Sequence, residues 1–221
     1  MAALAVCSIS LLLFLSKPAV GFGASTTVLL VGAGNCDVSD HACKQLPDPA
    51  EHKVAILNPK HLSDGVMSTV AVGGLPSWVA AGKPTTGCAY ATLTDLNNVV
   101  SLRVSKNFSA AVVANVSLAA QGLVNPVHLA VDPAAGTMMT AAFYHGPDDA
   151  AESPGAGVVL FSVSPDTCEI KVGAFVRTSG HSTNPARQGT SHVHSTTWDL
   201  SAKAPSPRIF ACVRYVLILQ R

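Results

Sequence analysis

The chain has 221 residues, a formal net charge of +1, 48% hydrophobic residues and only 12% charged residues. This composition excludes a disordered chain, because disorder requires few apolar side chains, and a coiled coil, because a long solvated helix requires many more charges. Near-neutral charge and 5% aromatic residues argue against nucleic acid as a partner, since binding it requires a basic face or a base-stacking platform.

The N-terminal segment, residues 1–21, has the pattern of a secretory signal peptide. Its apolar run from Leu4 to Leu15 is shorter than the roughly 20 residues of a membrane span, and small residues follow it at a cleavage position. Because no Lys or Arg precedes the run, a retained anchor or an organelle transit signal is the alternative. Glycosylation motifs at Asn107 and Asn115 agree with secretion. We therefore expect a secreted glycoprotein that makes no membrane contact after signal removal.

Cysteine spacing predicts at least one disulfide bond. Of the six cysteines, one lies in the predicted signal peptide and five follow it. Cys36 and Cys43 bracket a short polar loop and form the expected bridge. At most one further bridge can form among Cys88, Cys168 and Cys212. The sequence contains no Cys-x-x-Cys pair, so a zinc ribbon or a thioredoxin-type site has no support.

The rest of the chain consists of short apolar segments separated by turns that contain Gly, Pro and Asn, which predicts β-strands. The expected strands cover residues 26–31, 53–57, 67–72, 75–80, 88–93, 99–104, 111–118, 125–131, 138–144, 157–163, 170–176, 191–199 and 208–212. From Pro76 the order of strands and turns repeats, with a second copy at Pro126 and a third at Ser191. Trp78 and His128 occupy matching repeat positions and are expected to be packing residues. Four strands in about 50 residues are typical of propeller blades, whereas a β-sandwich, the alternative, requires no repeat.

Three segments in this part of the chain carry recognisable sequence motifs. Residues 125–133 read NPVHLAVDP, residues 143–146 read FYHG, and residues 184–195 contain NPARQ followed by HVHS. In this order they resemble the 6-phosphogluconolactonase and carboxymuconate-cyclase-like lactonases, a family of seven-bladed β-propellers. The resemblance implies an all-β, partial β-propeller of the lactonase type with about three to four blades over residues 22–212. Residues 213–221 depart from the family pattern as a divergent C-terminal tail.

The resemblance also implies a reaction, the hydrolysis or formation of a sugar-acid or muconate-type lactone without a cofactor or metal. It makes His194 the catalytic histidine and His145, Arg187 and His192 substrate-binding residues. These residue types suit that chemistry, because an imidazole takes up a proton near neutral pH and a guanidinium binds carboxylate or phosphate with two parallel hydrogen bonds. The family's further catalytic Arg and Glu have no counterpart in this sequence, so weakened activity is expected. Because an incomplete propeller leaves open blade edges, self-association through those edges is expected as well.

Each of these side chains has a second interpretation. His192 and His194 can cap a loop, or bind zinc with His145 or His181, although no matching carboxylate cluster is evident. Arg187 can hold its own long loop in place. The alternative function is a non-catalytic secreted propeller segment that binds a small acid or a protein partner.

Overall fold

The computed structural model describes residues 29–33, 52–83, 85–132, 138–143, 156–178, 191, 193–198, 209–213 and 216–219. These ranges contain fourteen β-strands and two single-turn 3-10 helices. The strands are β1 (Leu29–Ala33), β2 (Lys53–Leu57), β3 (Val66–Ala71), β4 (Pro76–Ala81), β5 (Cys88–Leu93), β6 (Asn98–Val104), β7 (Ala110–Ser117), β8 (Pro126–Val131), β9 (Met138–Phe143), β10 (Gly157–Val163), β11 (Ile170–Arg177), β12 (Val193–Trp198), β13 (Ile209–Val213) and β14 (Val216–Leu219). The described part of the chain holds no helix with the length and hydropathy of a membrane span.

The strands form four antiparallel sheets of consecutive strands, β1–β3, β4–β7, β8–β11 and β12–β14. The first strands of neighbouring sheets pack against each other, since β4 contacts β1 and β8, and β8 contacts β12. Sheets arranged side by side around their first strands are the blades of a propeller, here an incomplete one. The partial propeller expected from the sequence repeat is confirmed. Residues 216–219 of the expected tail pair with β13 as a third strand of the last sheet.

The core lies between the blades, and β5 shows why. All six of its residues are buried, and alternate side chains of a strand point to opposite faces. Tyr90 belongs to a cluster with Phe161 of the third blade, whereas Ala91 belongs to a cluster with Ile56 of the first blade. The second blade is therefore held by apolar contacts on both faces, and burial of each large apolar side chain contributes about 1.5–3 kcal/mol.

The outer strands are much less buried. Phe175 and Val176 of β11 and Val112 and Val113 of β7 are exposed. A last strand has a ladder neighbour on one side only, so its other edge carries unpaired backbone groups. Self-association through such edges stays a prediction.

A disulfide bond joins the second and third blades. Cys88 at the start of β5 is bonded to Cys168 in the β10–β11 turn, with a Cα–Cα distance of 5.3 Å. Arg103 donates hydrogen bonds to the carbonyl oxygens of Thr86 and Asp166, which lie two residues before the two cysteines. Covalent and polar contacts thus connect the same two turns. The predicted bridge between residues 36 and 43 lies outside the described residues.

Removal of the interblade bridge is expected to destabilise the protein. The bridge closes a loop with a sequence separation of 80 residues, so it restricts the unfolded chain strongly. We expect the C88A/C168A variant to lose about 2–4 kcal/mol of unfolding free energy in urea titrations. Wild-type protein reduced with dithiothreitol should lose at least as much, because reduction also breaks the predicted bridge between Cys36 and Cys43. Equal stability of the oxidised wild type and the variant would contradict this prediction.

Candidate functional site

The first strands of three blades share a β-bulge at their second residue. The register of each strand with its neighbour shifts at Ser77 in β4, at Val127 in β8 and at His194 in β12. A bulge bends the strand locally and redirects its side chains. Because each bulge lies at the same position of its strand, the second and third residues of the three strands come together around one cleft.

The convergence forms an open cleft of about 490 Å³, a volume that accommodates a small organic ligand. Its lining takes two residues from each of three blades, namely Ser77, Trp78, Val127, His128, His194 and Ser195. His194 is an exposed side chain, whereas His128 is half-buried. The cleft therefore holds two imidazoles in different environments.

Trp78 and His128 pack against each other. Their ring centroids are 4.4 Å apart and the ring planes are inclined by 42°. The packing role expected from their matching repeat positions is confirmed, and both rings also line the cleft. Their contribution to a site was missed because matching repeat positions were interpreted as packing positions alone. The third copy of the repeat places Ser195 at this position, directly after His194, and that adjacency was the signal that could have indicated it.

A hydrogen bond to the ring of His128 determines which of its two nitrogen atoms carries the proton. Its Nδ1 atom accepts the backbone N–H of Thr196 at 3.3 Å. A neutral imidazole whose Nδ1 is an acceptor carries its proton on Nε2. The pKa of His128 is lowered from 6.5 to about 4. Burial of the ring is the larger cause, and the charge of the neighbouring His194 is the smaller one. At neutral pH the ring is therefore an uncharged Nε2–H donor.

Side chains of adjacent blades satisfy backbone groups along β8. The indole Nε1 of Trp198 donates to the carbonyl oxygen of Ala130 at 3.1 Å. The hydroxyls of Ser77 and Thr94 donate to the carbonyl oxygen of Pro126 at 2.8 and 3.0 Å. With the contact between His128 and β12, these bonds fix three strands relative to one another, and so they fix the cleft.

Of the predicted site residues, the structure describes His194 and places it in the cleft. Residues 145, 187 and 192, the other predicted substrate contacts, lie outside the described residues, as does residue 181 of the zinc alternative. In the part of the chain that is described, no group of three or more His, Cys, Asp or Glu side chains is arranged to hold a metal ion. Both predicted glycosylation sites, Asn107 and Asn115, are exposed.

The chain is similar to known proteins in sequence pattern and in fold. The profile of the family described as Lactonase, 7-bladed beta-propeller, matches residues 55–204, about two thirds of the chain. None of the curated proteins has a sequence that matches the chain. A candidate 6-phosphogluconolactonase from Bacteroides fragilis has a similar fold at 14% identity and a TM-score of 0.57, covering 89% of this chain and 47% of that one.

Two further solved structures are similar. A candidate 6-phosphogluconolactonase from Bacteroides uniformis has 17% identity and a TM-score of 0.56, covering 84% of this chain and 46% of that one. A protein from Lactobacillus plantarum has 16% identity and a TM-score of 0.51 with the same coverage of both chains. The chain spans about half the length of these structures, and at such identities the likeness shows the fold alone.

The environment of His128 predicts a pH dependence of stability. Since its pKa is about 4 in the folded protein and 6.5 ordinarily, the unfolded chain takes up a proton first as pH falls. Stability should therefore decrease as pH falls from 6.5 towards 4. His128→Asn keeps an acceptor near Nδ1 but does not titrate, so its unfolding free energy should fall less over this window in urea titrations. His61→Asn, at an exposed position away from the cleft, is the control. Identical pH profiles of stability for wild type and His128→Asn would refute the lowered pKa of His128.

Proposed function

Because the chain belongs to the lactonase family of seven-bladed β-propellers, we propose that it hydrolyses a sugar-type lactone in the cleft between β4, β8 and β12. The convergence of His128 and His194 at the inner ends of consecutive blades carries this proposal. The 6-phosphogluconolactonase description of two similar structures favours a sugar-acid lactone as substrate class. Arg187, His192 and His145 are proposed substrate contacts on the strength of the sequence resemblance.

In the proposed reaction His194 acts as general base. Its imidazole takes a proton from water while the water oxygen bonds to the acyl carbon of the lactone, and the carbonyl electrons move to the acyl oxygen. When this tetrahedral intermediate collapses, the bond between the acyl carbon and the ring oxygen breaks. The imidazolium returns the proton to the leaving ring oxygen, and the product is the open hydroxy acid, which releases one proton to solvent. The exposure of His194 supports this role, because water reaches it directly.

Substitution of His194 tests this role. Oriented proton transfer contributes roughly 10²- to 10⁴-fold to rate, so His194→Ala should lower kcat/KM by that factor with glucono-1,5-lactone or its 6-phosphate as substrate. Hydrolysis is followed by proton release in weakly buffered solution. His61→Ala is the control for loss of a histidine outside the cleft.

The results separate the two functions considered. Lactone turnover by wild type that survives His194→Ala unchanged would remove His194 from the mechanism. A folded wild type that binds gluconate but turns over no lactone would favour the non-catalytic binding segment instead.

We also propose that the protein matures in the secretory pathway. The interblade disulfide supports this, since such bonds persist in oxidising compartments. The exposure of both sequon asparagines supports it as well, because the modifying enzyme must reach them.

Expression in a secretory host tests the proposal. The full chain should appear in the medium and migrate faster on gels after treatment with a peptide N-glycosidase. Asn107→Gln and Asn115→Gln should each abolish part of that shift, and the double variant all of it. Retention of an unmodified, reduced chain inside the cell would contradict the proposal.

A further inference from the structure

His128 differs from the residues at its equivalent positions in the neighbouring blades. β4 presents the Trp78 indole there and β12 presents the Ser195 hydroxyl. An indole N–H is a donor only, whereas a neutral imidazole has one acceptor and one donor on opposite sides of its ring. The acceptor of His128 is used within the protein, in the bond from Thr196. Among the described residues, its Nε2 makes no hydrogen bond.

We propose that His128 is a catalytic residue that donates a hydrogen bond from Nε2–H to the acyl oxygen of the bound lactone. The proposal rests on the lactone hydrolysis proposed above. The acyl oxygen gains negative charge when water adds to the acyl carbon, so this hydrogen bond strengthens in the transition state. The proton stays on Nε2 throughout, and the only proton transfers are those between water, His194 and the leaving oxygen.

The geometry favours this division of roles between the two imidazoles. His128 is held on one side by the Trp78 ring at 4.4 Å and at Nδ1 by the β12 backbone, so its orientation is set before a ligand arrives. Pre-oriented donors stabilise a developing oxyanion without reorganisation during the reaction. His194, the titratable group that faces it from β12, is exposed and therefore suited to exchange protons with water.

The protonation of His128 is consistent with the same assignment. Its pKa of about 4 keeps the His128 ring uncharged at neutral pH, so Nε2 holds the proton that it donates to the acyl oxygen. Side chains of the same type that lie in different environments are a recurring basis for distinct roles in one site.

Two substitutions of His128 distinguish a catalytic role of this residue from a structural one. His128→Asn can place an oxygen near the Nδ1 position, which preserves the acceptor for Thr196 but removes the Nε2 donor. His128→Gln can place its amide N–H near the Nε2 position, which preserves the donor but removes the acceptor. Each variant therefore keeps one of the two hydrogen-bonding functions of the ring and loses the other.

We expect His128→Asn to melt slightly below the wild type, because it keeps the acceptor for Thr196 but loses the ring contact with Trp78. It should lose roughly 10²-fold in kcat on glucono-1,5-lactone with little change in KM, because an oxyanion donor acts in the transition state. His128→Gln should melt at a lower temperature, because it loses the acceptor for Thr196. Its kcat should nevertheless be at least tenfold higher than that of His128→Asn, because it keeps the donor. If both variants lose activity in proportion to their melting temperatures, or if His128→Asn keeps wild-type kcat, the donor role is wrong.

Nitrogen NMR provides a readout that does not depend on turnover. In protein labelled with ¹⁵N-histidine, the signals absent from His128→Asn identify this ring, and they should show the Nε2–H tautomer from pH 5 to pH 8. Addition of gluconate, a product analogue, should shift Nε2 more than Nδ1. An Nδ1–H tautomer, an imidazolium at pH 6 or an unmoved Nε2 would overturn the proposal. Wild type that turns over no lactone overturns the proposed function itself, whereas active wild type with a fully active His128→Asn variant overturns only the role of His128.

Discussion

The unpaired inner edge of each blade is the constraint on which the site depends. The first strand of a blade has a ladder neighbour on one side only, and its other edge faces the neighbouring blades. Backbone N–H and C=O groups at such an edge must find partners, since an unsatisfied buried group costs about 1–3 kcal/mol. Along β8 and β12 those partners are side chains of adjacent blades, namely Ser77, Thr94, His128 and Trp198.

This arrangement links stability to chemistry. The hydrogen bond by which His128 satisfies a β12 amide also decides which of its ring nitrogens keeps a proton. The strand bulges that interrupt regular pairing at Ser77, Val127 and His194 turn neighbouring side chains towards a shared cleft. A single set of contacts therefore positions the blades and places two histidines in different environments of one cleft.

Packing away from the cleft keeps these inner strands in place. β5 is buried on both faces, so apolar contacts hold the second blade to the first and to the third. The Cys88–Cys168 bridge and the Arg103 hydrogen bonds connect the second and third blades at a separate point. Since side chains of both blades line the cleft, restricting their relative movement also restricts its shape.

Local patterns in the sequence were sufficient to predict the strands and the blade repeat. The catalytic role of His194, which the lactonase resemblance implies, stays a prediction, although the structure places this residue in the cleft. Apolar alternation and turn residues report short-range preferences, which is why the bounds of β2, β5 and β10 agree with those expected from the sequence alone. Only the tertiary structure decided that Cys88 pairs with Cys168 and that His128 shares a cleft with Trp78 and His194. Those contacts join residues 50 or more positions apart, and their distances depend on how the blades twist and bulge against one another, which no local pattern encodes.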